Sequence, residues 1–135
     1  MKYLLDTNII AYIINERPPE VISKFLSLSK DEIFISSIVV AELWYGVAKS
    51  HKKEQNKIAL EEFLAPLTIV DFDFTAAKFY GLIRADLEAK GLIIGSNDIL
   101  IASHALSLGL ILVTNNTKEF ERVNGLKLEN WVEYE

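Results

Sequence analysis

The stretch KYLLDTNI, residues 2–9, places an acid where a buried strand is expected to end. The run YLL (3–5) predicts a short strand, and NIIAYII (8–14) predicts a helix that starts right after it. In open α/β sheets, ligands bind outside the carboxyl ends of the strands, so Asp6 is expected at the rim of the usual ligand site. Alternatively, Asp6 only caps the helix that follows.

The rest of the chain alternates short apolar runs with longer segments of helical period, which predicts an α/β domain with a mostly parallel sheet of about five strands. Further strands are predicted over IFIS (33–36), LTIVDFD (67–73), LILVT (110–114) and, at the sheet edge, LKLE (126–129). Further helices are predicted over EVISKFLSLS (20–29), IVVAELWYGVAKS (38–50), EQNKIALEEFLA (54–65), TAAKFYGLIRADLEAK (75–90) and NDILIASHALSLG (97–109). Ser36 or Ser37 is expected to cap the helix at 38, and Gly91 and Gly109 to end two others.

Composition narrows the class of protein. The 135 residues, half of them hydrophobic, predict one domain over 1–135, and no apolar run approaches the roughly 20 residues that cross a bilayer. A cytoplasmic protein is the expectation. With no cysteine and two histidines, a metal would be held by oxygen or imidazole, and oxygen is favoured. The net charge of −5 argues against a general electrostatic grip on nucleic acid but leaves a local basic patch open.

Two more acids stand in unusual surroundings. Glu42 lies in SIVVAELWYG (37–46), where a carboxylate is costly unless it is paired or bound to a cation. Asp98 follows GSN and opens an apolar helix. The simpler alternatives are a Glu42 that turns to solvent and an Asp98 that favours the helix dipole.

A fourth acid comes after the fourth predicted strand. In VTNNTKEF (113–120), Asn115 and Asn116 come directly after the strand, and Glu119 lies about one helical turn further on. Carboxylates that meet in space repel one another unless some are protonated or a cation lies among them. Hard oxygen ligands select Mg²⁺ or Mn²⁺, and such a site suits hydrolysis of a phosphodiester.

Other chemistries lack their signatures. The chain has no G-x-S-x-G, no G-x-x-x-x-G-K-[ST] and no G-x-G-x-x-G, which argues against a nucleophile elbow, a P-loop and a dinucleotide site. A metal-free ribonuclease would need two converging histidines. His51 lies in a charged segment and His104 in an amphipathic helix, and a structural role is favoured for both.

Four segments together resemble a PIN-domain ribonuclease of the VapC type, most of all the branch that cuts initiator tRNA. They are LDTNI (5–9), ISSIVVAELWYGVAKS (35–50), IRADLEAKG (83–91) and IGSNDILIASHALSLGLILVTNNTKEFERVNGLKLENW (94–131). The resemblance covers about residues 3–131. It implies a three-layer α/β/α PIN fold and a toxin that is an endoribonuclease dependent on Mg²⁺ or Mn²⁺. The implied substrate is structured RNA, most plausibly the anticodon loop of initiator tRNA.

The resemblance also implies roles for residues. Asp6, Glu42 and Asp98 match the acids that hold the metal in these toxins. Thr7 and Asn8 match the family's DTN motif, where the hydroxyl and the amide orient the aspartate or a metal-bound water. Asn8 also stands where a D-x-D phosphatase of the haloacid-dehalogenase type would need a second aspartate, which argues against that rival.

The fourth acid is ambiguous. Many PIN domains carry aspartate where this chain has Asn116, and Glu119 is the expected replacement, with Asn116 as a polar second ligand or a phosphate contact. Arg84 matches a family arginine and is a candidate phosphate contact or an ordinary surface salt bridge. Lys49, in KSHKK (49–53), is a candidate RNA contact or part of a solvated helix end.

The family implies two partners, a VapB antitoxin and a second copy of the chain. The antitoxin's C-terminal segment wraps the toxin and can place a basic side chain in the acidic pocket. Large apolar residues in FLSLS (25–29) and LWYG (43–46) offer a surface for it, but most of them are expected in the core. A PIN-like scaffold that binds RNA or a partner without cutting is the alternative function.

Overall fold

A five-stranded parallel sheet lies at the centre of the computed structural model, which describes residues 1–133. The strands are β1 (Tyr3–Leu5), β2 (Ile33–Ser36), β3 (Thr68–Val70), β4 (Ile111–Val113) and β5 (Leu128–Glu129). Their order is β3-β2-β1-β4-β5, and every neighbouring pair is parallel. The predicted α/β class and the edge position of the fifth strand are confirmed.

Seven α-helices accompany the sheet within residues 1–133. They are α1 (Thr7–Ile14), α2 (Pro19–Ser27), α3 (Ser37–Lys49), α4 (Lys53–Leu64), α5 (Phe74–Lys90), α6 (Ser96–Leu108) and α7 (Thr117–Phe120). Helix α1 packs on α2 and α4, α5 packs on α6, and α3 contacts both sets. None of the helices in this described part is long and apolar enough to cross a membrane.

The chain order places a switch point beside β1. After β3 at one edge of the sheet, the chain passes through α5 and α6 and returns as β4 on the other side of β1. The backbone N–H of Asp6 extends the β1–β4 ladder by donating to Val113 O at 2.9 Å. Ligands of open α/β sheets bind at such a switch point, outside the carboxyl ends of the strands. Asp6 therefore lies where the sequence predicts it.

Three predicted helix ends are confirmed. Ser36 caps α3, because its Oγ accepts from Ile38 N at 3.1 Å. Gly91 and Gly109 follow α5 and α6 with φ of 67° and 66°, the left-handed conformation that glycine adopts without a steric penalty.

The third strand is shorter than predicted, three residues in place of 67–73. Beyond Val70 the chain leaves the ladder, where one side chain bonds its backbone and another caps the helix that follows. Phe72 N donates to Ser37 Oγ at 3.0 Å, and the Asp73 carboxylate accepts from Ala76 N at 3.0 Å to cap α5. Ser37 is 35 residues away from Phe72, so the local sequence does not show this early end of the strand.

The expectation that most large residues of FLSLS and LWYG lie in the core is wrong for three of them. Leu26, Trp44 and Tyr45 are exposed, whereas Phe25, Leu28 and Leu43 pack against the core and are partly buried. Helix α3 turns only a narrow face inward, and Val39 is its one fully buried residue. Its outer face carries the aromatic rings of Trp44 and Tyr45, which the rest of residues 1–133 leaves exposed.

Candidate active site

Asp6 is buried at the end of the central strand, with 6% of its surface exposed. One carboxylate oxygen accepts from Thr7 N at 2.8 Å, which makes Asp6 the N-cap of α1. The other accepts from Thr114 Oγ1 at 2.8 Å. Burial raises the pKa of Asp6, and these two hydrogen bonds oppose the rise. Asp6 is therefore both the predicted cap and an acid at the rim of the sheet.

Glu42 is half-buried on α3 and is tied to the same rim. Its carboxylate accepts from Thr7 Oγ1 at 3.1 Å, across 35 residues of sequence. Burial raises the pKa of Glu42, the hydrogen bond from Thr7 opposes the rise, and the negative charge of Asp6 adds to it. Thr7 thus joins two of the predicted acids, since its backbone bonds one and its hydroxyl the other.

Asp98 lies in the first turn of α6, facing the other acids. Burial raises its pKa to about 6, and the charges of Asp6, Glu119 and Glu42 contribute to the rise. Four acids from distant parts of the sequence therefore act on one another. Asp98 also lies at the positive end of the dipole of α6, which by itself lowers the pKa of a carboxyl group. Burial and the neighbouring charges raise this pKa by more than the dipole lowers it.

Asp98→Asn is expected to stabilise the protein in EDTA at pH 7.5 by about 1 kcal/mol, after discounting for the partial exposure of the group. With its raised pKa, Asp98 holds more protons in the folded than in the unfolded chain between about pH 4 and 6. The parent's stability relative to the variant therefore falls as pH rises through that window. Melting curves at pH 4 and 7.5 measure the difference, and a gain that does not depend on pH would contradict the assignment.

Glu119 lies in the short helix α7, and Asn116 holds it. Asn116 Nδ2 donates to Glu119 Oε2 at 3.2 Å, and Asn116 N donates to Thr114 Oγ1 at 3.0 Å. Glu119 is thus the acid that reaches the charge cluster, with Asn116 as its hydrogen-bond partner.

Three other predicted residues have partners other than the four acids. Asn8 Nδ2 donates to Asn115 Oδ1 at 3.3 Å, so its amide bonds this loop and not Asp6. Arg84 forms the surface ion pair considered from the sequence, with Glu88 at 3.1 Å on α5. Lys49 ends α3 with its Nζ 4.8 Å from the centroid of the Tyr45 ring.

Asp6 and Glu42 share Thr7 as a hydrogen-bond partner, and the charges of Asp6, Glu42 and Glu119 act on Asp98. The space between these four side chains is called the acidic hollow below. Within residues 1–133, no group of three or more acidic or histidine side chains is arranged closely enough to hold a metal ion. The backbone nevertheless brings the acids within electrostatic reach of one another, since the charges of Asp6, Glu42 and Glu119 raise the pKa of Asp98.

Two contacts that support the site were not predicted from the sequence, although a structural role was expected for His104. Thr114, fully buried, bonds Asp6 from the end of β4. His104 Nδ1 lies 2.8 Å from Ser36 Oγ. This contact joins α6, which carries Asp98, to the N-cap of α3, which carries Glu42. Burial lowers the pKa of His104, which favours a neutral ring in this structural role. Thr114 comes directly after β4, the strand that pairs with β1. A hydroxyl residue at that position is the sequence signal that would have indicated a partner for Asp6.

Comparisons with known proteins show the family of the chain. The pattern of the PIN domain family matches residues 3–126. The chain is 54% identical over 132 residues to "Ribonuclease VapC2" of Rickettsia felis, covering 97% of this chain and 98% of the relative. It is 44% identical over 131 residues to "tRNA(fMet)-specific endonuclease VapC" of Shigella flexneri, again covering 97% and 98%.

Solved structures are similar over nearly the whole chain. A crystal structure of VapBC2 from Rickettsia felis, bound to a DNA fragment from their promoter, contains a chain with a TM-score of 0.92 and 53% identity, covering 98% of this chain and 100% of that one. A DNA-bound VapBC from Salmonella typhimurium gives a TM-score of 0.92 with 42% identity, covering 98% and 99%.

Proposed function

The chain belongs to the PIN-domain family and, within it, to the VapC ribonucleases, and on that premise we propose that it is a metal-dependent endoribonuclease, the toxin of a VapBC pair. Its catalytic acids are Asp6, Glu42, Asp98 and Glu119. The observation that carries this proposal is the mutual action of these four side chains, since the charges of three of them act on Asp98.

The donor set fits a hard divalent cation. The hollow offers carboxylate oxygens and the amide of Asn116, the chain has no cysteine, and the ring of His104 is buried and bonded to Ser36. Oxygen donors of this kind select Mg²⁺ or Mn²⁺. We assign Asp6, Glu42 and Asp98 as the residues that hold it, with Glu119 completing the set. When bound, such an ion supplies an activated water and offsets negative charge on the phosphodiester.

The surrounding hydrogen bonds determine where these carboxylates lie. Thr114 and Thr7 hold both oxygens of Asp6, and the Thr7 hydroxyl holds Glu42. Asn116 holds Glu119 from the same loop that bonds Thr114. Such outer partners orient metal ligands and reduce the reorganisation needed during reaction. Thr7 and Thr114 are therefore assigned as positioning residues.

Initiator tRNA is the proposed substrate, cut in its anticodon loop to leave a 5′-phosphate and a 3′-hydroxyl. The support is the Shigella flexneri relative, whose name specifies tRNA(fMet) and which is 44% identical to this chain. Loop nucleotides are unpaired, and proteins bind them by stacking and by contacts to base edges and backbone.

A VapB antitoxin is the proposed partner, and a homodimer the proposed toxin assembly. The similar structures from Rickettsia felis and Salmonella typhimurium are VapBC complexes. A hollow lined by acids would accept a basic side chain from an antitoxin segment, because charge-assisted hydrogen bonds to carboxylates are strong. The antitoxin would then occupy the place of the cation.

The test uses toxin freed of antitoxin and incubated with total tRNA. With Mg²⁺, we expect one cut in initiator tRNA, which EDTA abolishes and added Mn²⁺ restores. A parent protein that binds tRNA but leaves it intact under all three conditions would overturn the enzyme assignment and favour the non-cutting scaffold.

A further inference from the structure

A groove of about 660 Å³ leads away from the acidic hollow along α3. Thr7 and Glu42 line it where it meets the hollow, and Tyr45 and Lys49 line it further along the helix. Helix α6 contributes Asn97 and Leu100 to its lining. The groove is thus continuous with the candidate active site, but its far part carries an aromatic ring and a cation in place of acids.

Tyr45 is the unusual residue of this groove. It is 65% exposed, and the ammonium of Lys49 lies 4.8 Å from its ring centroid. A large ring that the fold leaves uncovered offers a stacking surface, and bases stack on aromatic rings whatever their identity. The neighbouring ammonium offers a contact for the phosphate that accompanies such a base.

Helical spacing connects this pair to the acids. Glu42, Tyr45 and Lys49 stand at positions i, i+3 and i+7 of α3, so they lie on one face of the helix. The rise from Glu42 to Lys49 is about 10 Å. A strand of RNA with its reacting phosphate at the acids would therefore pass Tyr45 with an adjacent nucleotide.

Gly46 gives a second, independent observation. It lies inside α3, where glycine lowers helix stability relative to alanine, and a Cβ built there would meet no atom within 4 Å. Packing within the chain therefore gives no reason for glycine. Gly46 borders the groove, and a bare stretch of helix there leaves space for a ligand to approach the backbone. It also borders a smaller hollow of about 290 Å³ between α1 and α4, so a protein partner is the competing explanation.

We propose that this groove seats the unpaired nucleotide next to the cleaved bond, with its base stacked on Tyr45 and its phosphate at Lys49. The inference rests on the proposed ribonuclease function and specifies how the same site holds its substrate. RNA is favoured over a protein partner because Glu42, one of the four acids, lines the groove, and Lys49 is the cation among the residues that line it.

The test compares matched variants on initiator tRNA in saturating Mg²⁺. Tyr45→Ala is expected to lower kcat/KM by about tenfold or more, whereas Tyr45→Phe, which keeps the ring, stays within about twofold of the parent. Lys49→Ala is expected to reduce the slope of log kcat/KM against log salt concentration by about one, and Lys49→Arg to keep it. Lys52→Ala, a nearby exposed lysine outside the groove, is the control for loss of positive charge.

A modified substrate separates stacking from a general loss of structure. Once the parent's cut is mapped, an abasic residue is placed at each flanking position in turn. One abasic substrate is expected to slow the parent as much as Tyr45→Ala does, and to slow Tyr45→Ala no further. Melting of Tyr45→Ala with Mn²⁺ should match that of the parent.

Three outcomes would overturn the inference. If the parent cuts tRNA and Tyr45→Ala cuts equally well, the groove does not seat the nucleotide, while the ribonuclease function stands. If Tyr45→Ala changes only the oligomeric state or the affinity for antitoxin, the groove binds a protein and not RNA. If the parent itself cuts no RNA, the proposed function fails and the inference fails with it.

Discussion

Asp6→Asn is expected to lower the rate of RNA cleavage by at least about a thousandfold, with the fold intact. Asp6 is the most deeply buried of the four acids and is fixed by two hydrogen bonds, so its charge has a defined place at the rim of the sheet. Asparagine keeps the shape but removes the charge that a divalent cation needs. The metal stabilises the charge of the transition state by several kcal/mol. Each loss of about 1.4 kcal/mol lowers the rate tenfold, so a loss of about 4 kcal/mol gives the expected thousandfold effect. Single-turnover cleavage of initiator tRNA measures the effect.

The matched control for that variant is Asp86→Asn. Asp86 lies on α5 in a surface ion pair with Lys90 at 3.0 Å, away from the acidic hollow. Its neutralisation is expected to change cleavage less than twofold, because its carboxylate pairs with Lys90 on the surface of α5. Equal activity of Asp6→Asn and the parent, in excess Mg²⁺ and free of antitoxin, would remove Asp6 from the catalytic set.

Thr114→Val is expected to lower both stability and activity, although the change replaces a hydroxyl with a methyl group of similar size. The buried hydroxyl donates to Asp6 and accepts from Asn116 N, so the variant leaves two polar groups without this partner. An unsatisfied buried group costs about 1–3 kcal/mol. Loss of a partner that orients a metal ligand lowers activity by about 10- to 100-fold. Urea denaturation and cleavage assays measure the two effects.

The control for Thr114→Val is Thr68→Val. Thr68 is exposed on the edge strand β3, and surface substitutions of this kind usually change stability by less than about 0.5 kcal/mol. If both variants retain the parent's stability and cleavage rate, the hydrogen bond from Thr114 does not support Asp6.

Patterns that depend on neighbours in sequence were predicted well. The strands over 3–5 and 33–36 match end to end, because each is a short buried run between clear boundaries. Gly91 and Gly109 end their helices as expected, since only local backbone conformation is involved. The position of Asp6 followed from the order of strands and helices alone.

Features that depend on distant contacts were not predicted. Thr114 and Asp6 are 108 positions apart, and His104 and Ser36 are 68 apart, so no local pattern reveals either bond. The exposure of Tyr45 was not predicted for a related reason. The sequence of an apolar helix does not show how wide a face the helix buries, because that depends on the elements that pack against it.

The four-residue helix over Thr117–Phe120 was also missed, because it is too short to show a period. It nevertheless carries Glu119, whose identity as the fourth acid the sequence left open. The hydrogen bond from Asn116 and the charge that acts on Asp98 now favour Glu119.

The proposed function depends above all on the binding of a divalent cation by Asp6, Glu42, Asp98 and Glu119 together. Titration of the antitoxin-free protein with Mn²⁺, followed by the electron paramagnetic resonance signal of free Mn²⁺, measures this directly. We expect at least one Mn²⁺ bound per chain in the parent and in Asp86→Asn, and none in Asp6→Asn at the same concentrations. A free Mn²⁺ signal equal to that of buffer, or binding that survives the loss of Asp6, would contradict the proposed function.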